Sequence, residues 1–439
     1  MATDVTKPRP VAHSPLRGGR PTLGLIAGCH AHGAVRFVCS VTAAHTTCSR
    51  KHEGRRVNND TAPPEATAVD TEQRLRAARA VLAEHAAATE ERGRPTKESR
   101  AAAEGVGAFA ATTPREFGGL GLDHRSMTRM FAELGAGCTS TAWVAAISAM
   151  QKWFVWDWMT PDVRQAVYAD PNVQVCGNGR PVGRGDKIDS GYLIDGRWGY
   201  ASGCQDASWA ILAVGEIGGK RADVPCMALV PTASTQIERT WDDAVGLRGT
   251  GSHTLVAERV FVAGDFVMNA PFPGNGPLLG ARMLPAVLHS ASPLVGATRG
   301  ALDHVAQFMF ADGPAVMSQY AQRSQSPAAR ALFIEASQLV DTAEMRTRRA
   351  ADMLDATRTG DPLAEIEIAH ARLQLVTALQ ECRRALDTML DLCGSNALVG
   401  SNPITRAWRD VAMGSRHIGL SPSVTADHLD RLLFPEVAM

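Results

Sequence analysis

The 439-residue sequence carries no net charge, since 45 Lys and Arg balance 45 Asp and Glu. A neutral balance gives no general attraction for nucleic acid or an anionic membrane surface, so neither is expected as a partner. Long apolar runs are also missing. No stretch of about 20 apolar residues occurs, so no membrane span is expected. The weakly apolar residues 23–44 are broken by His30, His32 and Arg36, which makes a poor secretory-signal core. The nine cysteines are odd in number and scattered, and they read as reduced thiols of a cytoplasmic protein. Zinc spacing is absent as well. Cys29, Cys39 and Cys48 lie near His13, His30, His32, His45 and His52, but no paired ligands bracket a turn, and no metal site is expected. Residues 1–68, rich in Arg, His, Pro, Gly and Thr and without sustained periodicity, read as a disordered arm. No Met falls between Met1 and Met127, but a non-ATG start near Val57 or Val69 would remove that arm.

What is present is organised as helix, strand, helix. Leu75, Ala78, Val81 and Leu82 form one apolar helical stripe, and Met127, Met130, Phe131 and Leu134 form another. Between them, Pro114-Arg-Glu-Phe-Gly-Gly-Leu-Gly-Leu122 is a Gly-rich turn. A helix from Ser140 to Trp158 holds four of the eight Trp, and Trp153 and Trp156 are spaced to share a face, as core packing or as a wall beside a flat ligand. Strands are expected over residues 192–196, 209–214, 225–230 and 260–262, each bounded by Gly, Pro or Asp. Gly219, Lys220 and Arg221 read as a solvated loop. Long Ala-, Leu-, Arg- and Glu-rich helices over 283–309, 328–357 and 362–392 suggest an antiparallel bundle.

Three motifs in this order resemble the acyl-CoA dehydrogenase superfamily over roughly residues 70–439. The Gly-rich turn at 114–122 is similar to the family's P-x-E-[FY]-G-G-x-G segment. Gly246-Leu-Arg-Gly-Thr-Gly-Ser252 resembles its G-[ML]-R-[GA]-[ST]-x-[ST] turn, which approaches a flavin. Cys393-Gly-Ser-Asn-Ala-Leu-Val-Gly400 and Ile404-Thr-Arg-Ala-Trp-Arg-Asp410 resemble its Gly-rich loop and R-x-x-R-D segment. The resemblance implies an acyl-CoA dehydrogenase-like fold: an N-terminal all-α domain (69–170), a middle β-barrel-like domain (171–275) and a C-terminal four-helix bundle (276–439). It also implies a homotetramer. Gly246, Gly249 and Gly251 would let backbone approach a planar ring or a pyrophosphate, and Arg248 can pair with phosphate through its planar fork.

The dehydrogenases of this family commonly place a Glu base nine residues after the Arg of the R-D pair. That offset from Arg409 is Ile418, which cannot accept a proton. The stretch from Arg409 to Leu420 is similar instead to the two-component flavin monooxygenases, where a His matching His417 lies near the flavin and bound oxygen, and His suits proton transfer near neutrality. Asp195-Gly-Arg-Trp-Gly-Tyr-Ala-Ser-Gly-Cys-Gln-Asp-Ala-Ser-Trp209 resembles that branch's strand against the flavin face. The resemblance assigns Trp198, Ala201, Ser202, Gly203, Arg248, Gly249 and Ser252 to the cofactor, with Ser202 as the hydroxyl for flavin N5 and Ala201 as a departure from the pattern. Gln151 stands where phenol hydroxylases of the branch place a His, and it can hydrogen-bond a substrate but not take its proton. Trp153 and Asn178 are further substrate-side candidates. The chain has no G-x-G-x-x-G fingerprint followed by an acidic residue, in agreement with reduction of FMN or FAD by a separate flavin reductase. Two alternatives stay open: an acyl-CoA dehydrogenase with its base elsewhere, and a non-catalytic relative.

Overall fold

The computed structural model describes residues 68–269, 283–314 and 318–434. The arm expected at 1–68, with its Cys and His residues, lies outside them except for Ala68, which opens the first helix. Residues 270–282, where the change from strand to helix was expected, lie outside them too.

Six helices come first: α1 (Ala68–Glu84), α2 (Ala86–Arg92), α3 (Lys97–Gly105), α4 (His124–Gly137), α5 (Thr139–Val155) and α6 (Pro161–Val167). Their starts follow from capping chemistry. Thr96, Asp123 and Thr160 each accept a hydrogen bond from a backbone N–H in the first turn that follows. Leu75, Ala78 and Leu82 of α1 and Met127, Met130, Phe131 and Leu134 of α4 are buried together, each large side chain contributing about 1.5–3 kcal/mol by leaving water. The shared face expected for Trp153 and Trp156 does not form, because the two rings pack against different apolar clusters where α5 gives way to a 3-10 turn at Trp156–Trp158. Trp153 packs on the helical core, while Trp156 joins Phe117 and Tyr168 under the Arg164 guanidinium. Both are packing residues.

Seven strands follow: β1 (Val175–Ile188), β2 (Gly191–Trp198), β3 (Trp209–Ile217), β4 (Lys220–Pro231), β5 (Gln236–Glu238), β6 (Thr254–Ala263) and β7 (Val267–Asn269). They form one sheet in the order β5-β6-β2-β1-β3-β4-β7, antiparallel except for β1 on β3. The central strand β1 was not among those expected from pattern, because Gly177, Gly179, Pro181, Gly183 and Gly185 mask it. Its glycines have a packing reason. A Cβ on Gly183 or Gly196 would strike the Trp198 ring at 2.2 and 2.5 Å. The fully buried Trp198 therefore fills the sheet core, with its Nε1 donating to the Ala213 carbonyl at 2.8 Å.

The rest is helical: α7 (Met283–Phe310), α8 (Pro327–Ala356), α9 (Glu365–Cys393), α10 (Pro403–Gly414) and α11 (Pro422–Leu433). One continuous apolar core runs through α7, α8, α9 and α10 and takes in Trp143 and Leu247 from outside the bundle. The first helices are bolted to it. On α7, Gly296 and Gly300 face α4 so closely that a Cβ would lie 1.9 Å from the Ala132 carbonyl oxygen and 2.4 Å from that of Ala136. Asp355 of α8 accepts the His124 and Arg125 backbone N–H groups at 2.8 and 2.9 Å. The buried Lys152 ammonium donates to the carbonyls of Phe109 and Val173 and to Thr113 Oγ1, three acceptors for three donors, joining α5 to the entry of the sheet.

Replacing Gly296 with Ala should cost about 1–3 kcal/mol or more of unfolding free energy, because the clash is with backbone that cannot rotate away. Chemical denaturation of the variant measures this. An unchanged midpoint would mean that the α4–α7 seam is looser than described.

Candidate active site

The turn joining β5 to β6 gathers the chemistry. Gly246 lies against α10, where a Cβ would meet the Arg409 carbonyl oxygen at 2.1 Å. Leu247 takes a left-handed φ of 51°, a conformation costing a non-glycine residue about 1–3 kcal/mol. Its N–H donates to Asp410 Oδ1 at 2.6 Å, and a bond to a charged group, worth about 1.5–3 kcal/mol, offsets that strain. Burial raises the Asp410 carboxyl to about 6 against the lowering effect of the Leu247 and Thr139 hydrogen bonds.

From Leu247 a row of hydroxyls runs toward the molecule's helical parts. Thr250 Oγ1 donates to the Leu247 carbonyl at 2.7 Å. Thr250 and Ser252 are 2.6 Å apart, and Ser252 and Ser202 are 2.8 Å apart. Trp143 Nε1, from α5, donates to Ser202 Oγ at 3.3 Å. A hydroxyl has one proton, so the directions are fixed along the row: Thr250 spends its proton on Leu247, Ser252 on Thr250, and Ser202 on Ser252. Ser202 is left with one free lone pair and no free proton. Beyond it, the Trp143 ring meets His417 edge to face at 6.0 Å. His417 follows α10 in the turn Ile418–Leu420, where its Nδ1 accepts the Gly419 N–H at 3.3 Å. Protein surrounding the ring lowers its pKa by desolvation, although the residue is still reached by water, so the imidazole is neutral at pH 7.

The sequence-derived candidates divide. Ser202, Ser252, Arg248 and His417 converge on this turn or its neighbours, with Arg248 exposed. Trp198 does not: it is enclosed in the sheet and has no surface to offer a ligand. Ala201 is likewise buried, with its N–H on the His253 carbonyl at 3.1 Å. The glycines serve close protein packing rather than approach to a ring. A Cβ on Gly249 would strike Thr89 and Ser140, on Gly251 Gln205 and Gly93, and on Gly203 Gln174 and Val144. Asn178 is occupied locally, donating to the Gly199 carbonyl and accepting the Arg180 N–H at 2.8 Å. Trp153 contacts His124 instead. Gln151 is half-buried, and its side chain makes no hydrogen bond among the described residues. It lies two turns beyond Trp143, on the α5 face that also carries Ile147 toward the bundle core.

Trp143, Thr250, His253 and Gln205 were missed as site residues, and Asp410 entered only as part of a motif. Trp143 and Thr250 lie inside the segments that located Gln151 and Ser252, but only contact reveals their parts. His253 Nδ1 accepts the Thr240 and Trp241 N–H groups, both at 3.2 Å, so its proton sits on Nε2, which is buried and unpartnered. Gln205 Oε1 is a buried acceptor without a donor. An orphaned donor and an orphaned acceptor beside the hydroxyl row fit a heterocycle bearing carbonyl and N–H groups, as a flavin does. Among the described residues no group of His, Cys, Asp and Glu could hold a metal ion, and no helix is long and apolar enough to cross a membrane.

Comparison with known proteins agrees. Residues 65–170 match the family described as acyl-CoA dehydrogenase, N-terminal domain, and residues 288–422 that described as acyl-CoA dehydrogenase, C-terminal domain. The oxygenase component of the FADH(2)-dependent resorcinol hydroxylase of Rhizobium sp. is 33% identical over 360 residues, 76% of this chain and 86% of that protein. The flavin-dependent monooxygenase oxygenase subunit HsaA of Rhodococcus jostii is 29% identical, over 80% of this chain and 94% of its own. Among solved structures, XiaF from Streptomyces sp. in complex with FADH2 and glycerol superposes with a TM-score of 0.76 at 26% identity, covering 84% of this chain and 95% of that one.

The folded pKa of Asp410, about 6, lies above its unfolded value of 3.8. Its contribution to stability is therefore present below about pH 4 and lost as pH rises through 6. Between pH 4 and 7 the unfolding free energy of the wild type should fall relative to Asp410→Asn by up to about 3 kcal/mol. A gap independent of pH in paired denaturation curves would show that Asp410 titrates as it does unfolded.

Proposed function

The chain belongs to the flavin-dependent monooxygenase branch of the acyl-CoA dehydrogenase superfamily, and on that premise we propose how its own residues serve oxygenation of an aromatic, amine or polycyclic substrate. Bound reduced flavin supplies the electrons with which O2 delivers one oxygen atom to substrate. We take the flavin to be FAD, because the resorcinol hydroxylase is named for FADH(2) and XiaF was solved with FADH2. A separate reductase delivers it, and the working unit is a homotetramer.

The observation that carries the reading is the position of Trp143 between Ser202 of the sheet and His417 of the C-terminal helices. Ser202, having only a lone pair to spare, accepts from a protonated ring nitrogen, and N5 of a flavin bears a proton only when reduced. His253 Nε2–H and Gln205 Oε1 would offer the ring a donor and an acceptor, and the exposed Arg248 guanidinium would pair with phosphate. Trp143, itself buried, packs between Ser202 and His417. His417, neutral at pH 7, holds a proton beside the reacting oxygen. Gln151 orients substrate through its free amide without removing a proton. The dehydrogenase alternative lacks its base: Ile418 occupies that place and is 66% exposed.

The test mixes the protein anaerobically with reduced FAD, and separately with reduced FMN, then admits O2 and follows the flavin absorbance. A protein-dependent band preceding that of oxidised flavin is expected, and a trace identical to free flavin would remove the proposal's basis. His417→Asn should lower product formed per O2 consumed about 100-fold while leaving anaerobic binding of reduced flavin unchanged.

A further inference from the structure

Beneath the turn that follows His417 lies a cation with no counter-charge. Arg372 of α9 is fully buried, and its neighbours along the same helix, Ile368, Ala369, Ala371, Leu375 and Val376, are apolar and buried too. Its Nη2 donates to the Gly419 carbonyl at 3.5 Å, the outer limit of a hydrogen bond. Nε and Nη1 have no partner, and no carboxylate pairs with it among the described residues. A buried guanidinium without a carboxylate opposes folding, and burial pulls its pKa down to about 10. Packing alone would be better served by Met or Leu.

The glycine that receives Arg372 through its carbonyl donates its N–H to His417 Nδ1 at 3.3 Å. A ring nitrogen that accepts a hydrogen bond carries no proton, so the single proton of the neutral imidazole belongs on Nε2. Gly419 also lies against α7: a Cβ added there would make ordinary contacts with His417 Nδ1 at 3.4 Å and Val287 at 3.6 Å.

We propose that Arg372 is a positioning residue: by holding Gly419 it keeps the Gly419 N–H on His417 Nδ1 and presents His417 to the site as an Nε2–H donor. The tautomer follows from this chain's own contacts. Its consequence for oxygenation rests on the assignment of His417 to the reacting oxygen.

The experiment is imidazole 15N NMR of the flavin-free protein labelled at histidine, with His417 identified by the signal lost in His417→Gln. The wild type should show His417 protonated at Nε2 and bare at Nδ1; a proton on Nδ1 overturns the proposal whatever the variants do. Arg372→Met should mix the tautomers and lower product per O2 about tenfold with no loss of melting temperature, because a buried unpaired charge has been removed. Arg372→Lys, which retains one donor to Gly419, should restore most of the Nε2–H form, and it serves if the Met variant does not fold. An unchanged tautomer in a folded Met variant refutes the role of Arg372. A shifted tautomer with unchanged product yield leaves that role standing and refutes the placement of His417 at the reacting oxygen.

Discussion

The Leu247 N–H to Asp410 hydrogen bond is the constraint from which the site is built. It holds a leucine in the left-handed region and draws the β5–β6 turn onto α10. Gly246 is there because no side chain fits between that turn and the Arg409 carbonyl. Once Leu247 is fixed, its carbonyl orients Thr250, and Thr250 orients Ser252 and Ser202 in turn. A row of hydroxyls has no intrinsic direction. This one acquires it from a single backbone carbonyl at its end.

A second consequence concerns where polar groups are left unpaid for. Most buried polar atoms in a folded protein find partners. Here His253 Nε2, Gln205 Oε1 and two nitrogens of Arg372 do not. The first two adjoin the hydroxyl row, and the third lies under the turn carrying His417. Lys152, by contrast, has an acceptor for each of its donors. Arg164 Nε, Arg409 Nε and His289 Nδ1 are also buried without a partner, so an orphaned atom does not by itself mark a ligand site.

Glycine shows how a motif can carry a packing reason that its sequence does not display. The Gly246–Ser252 turn marks the family, yet Gly246, Gly249 and Gly251 make room for Arg409, for Thr89 and Ser140, and for Gln205 and Gly93. Trp198 misleads in the same way, since it belongs to a recognisable strand but turns into the sheet, with Gly183 and Gly196 clearing space for its ring. In strand β1, Gly183 together with Gly177, Gly179 and Gly185 hid the central strand of the sheet from a reading based on alternation, because a residue without a side chain contributes nothing to a hydrophobic pattern.

The sequence by itself determined the order of helix, strand and helix, the family, and the absence of a dehydrogenase base at Ile418. Apolar periodicity and short motifs are local properties, written in residues close together along the chain. His417 and Ser202 were singled out in the same way, through the segments around them. Only the tertiary structure decided that Trp143 stands between them, that Ser202 has a lone pair but no proton to give, and that Arg372 reaches Gly419 from 47 residues away. Those facts depend on which side chains meet between distant parts of the chain, and on how each meeting uses up donors and acceptors. A hydrogen bond between distant residues leaves no periodicity in the sequence, so it becomes visible only when the chain has closed upon itself.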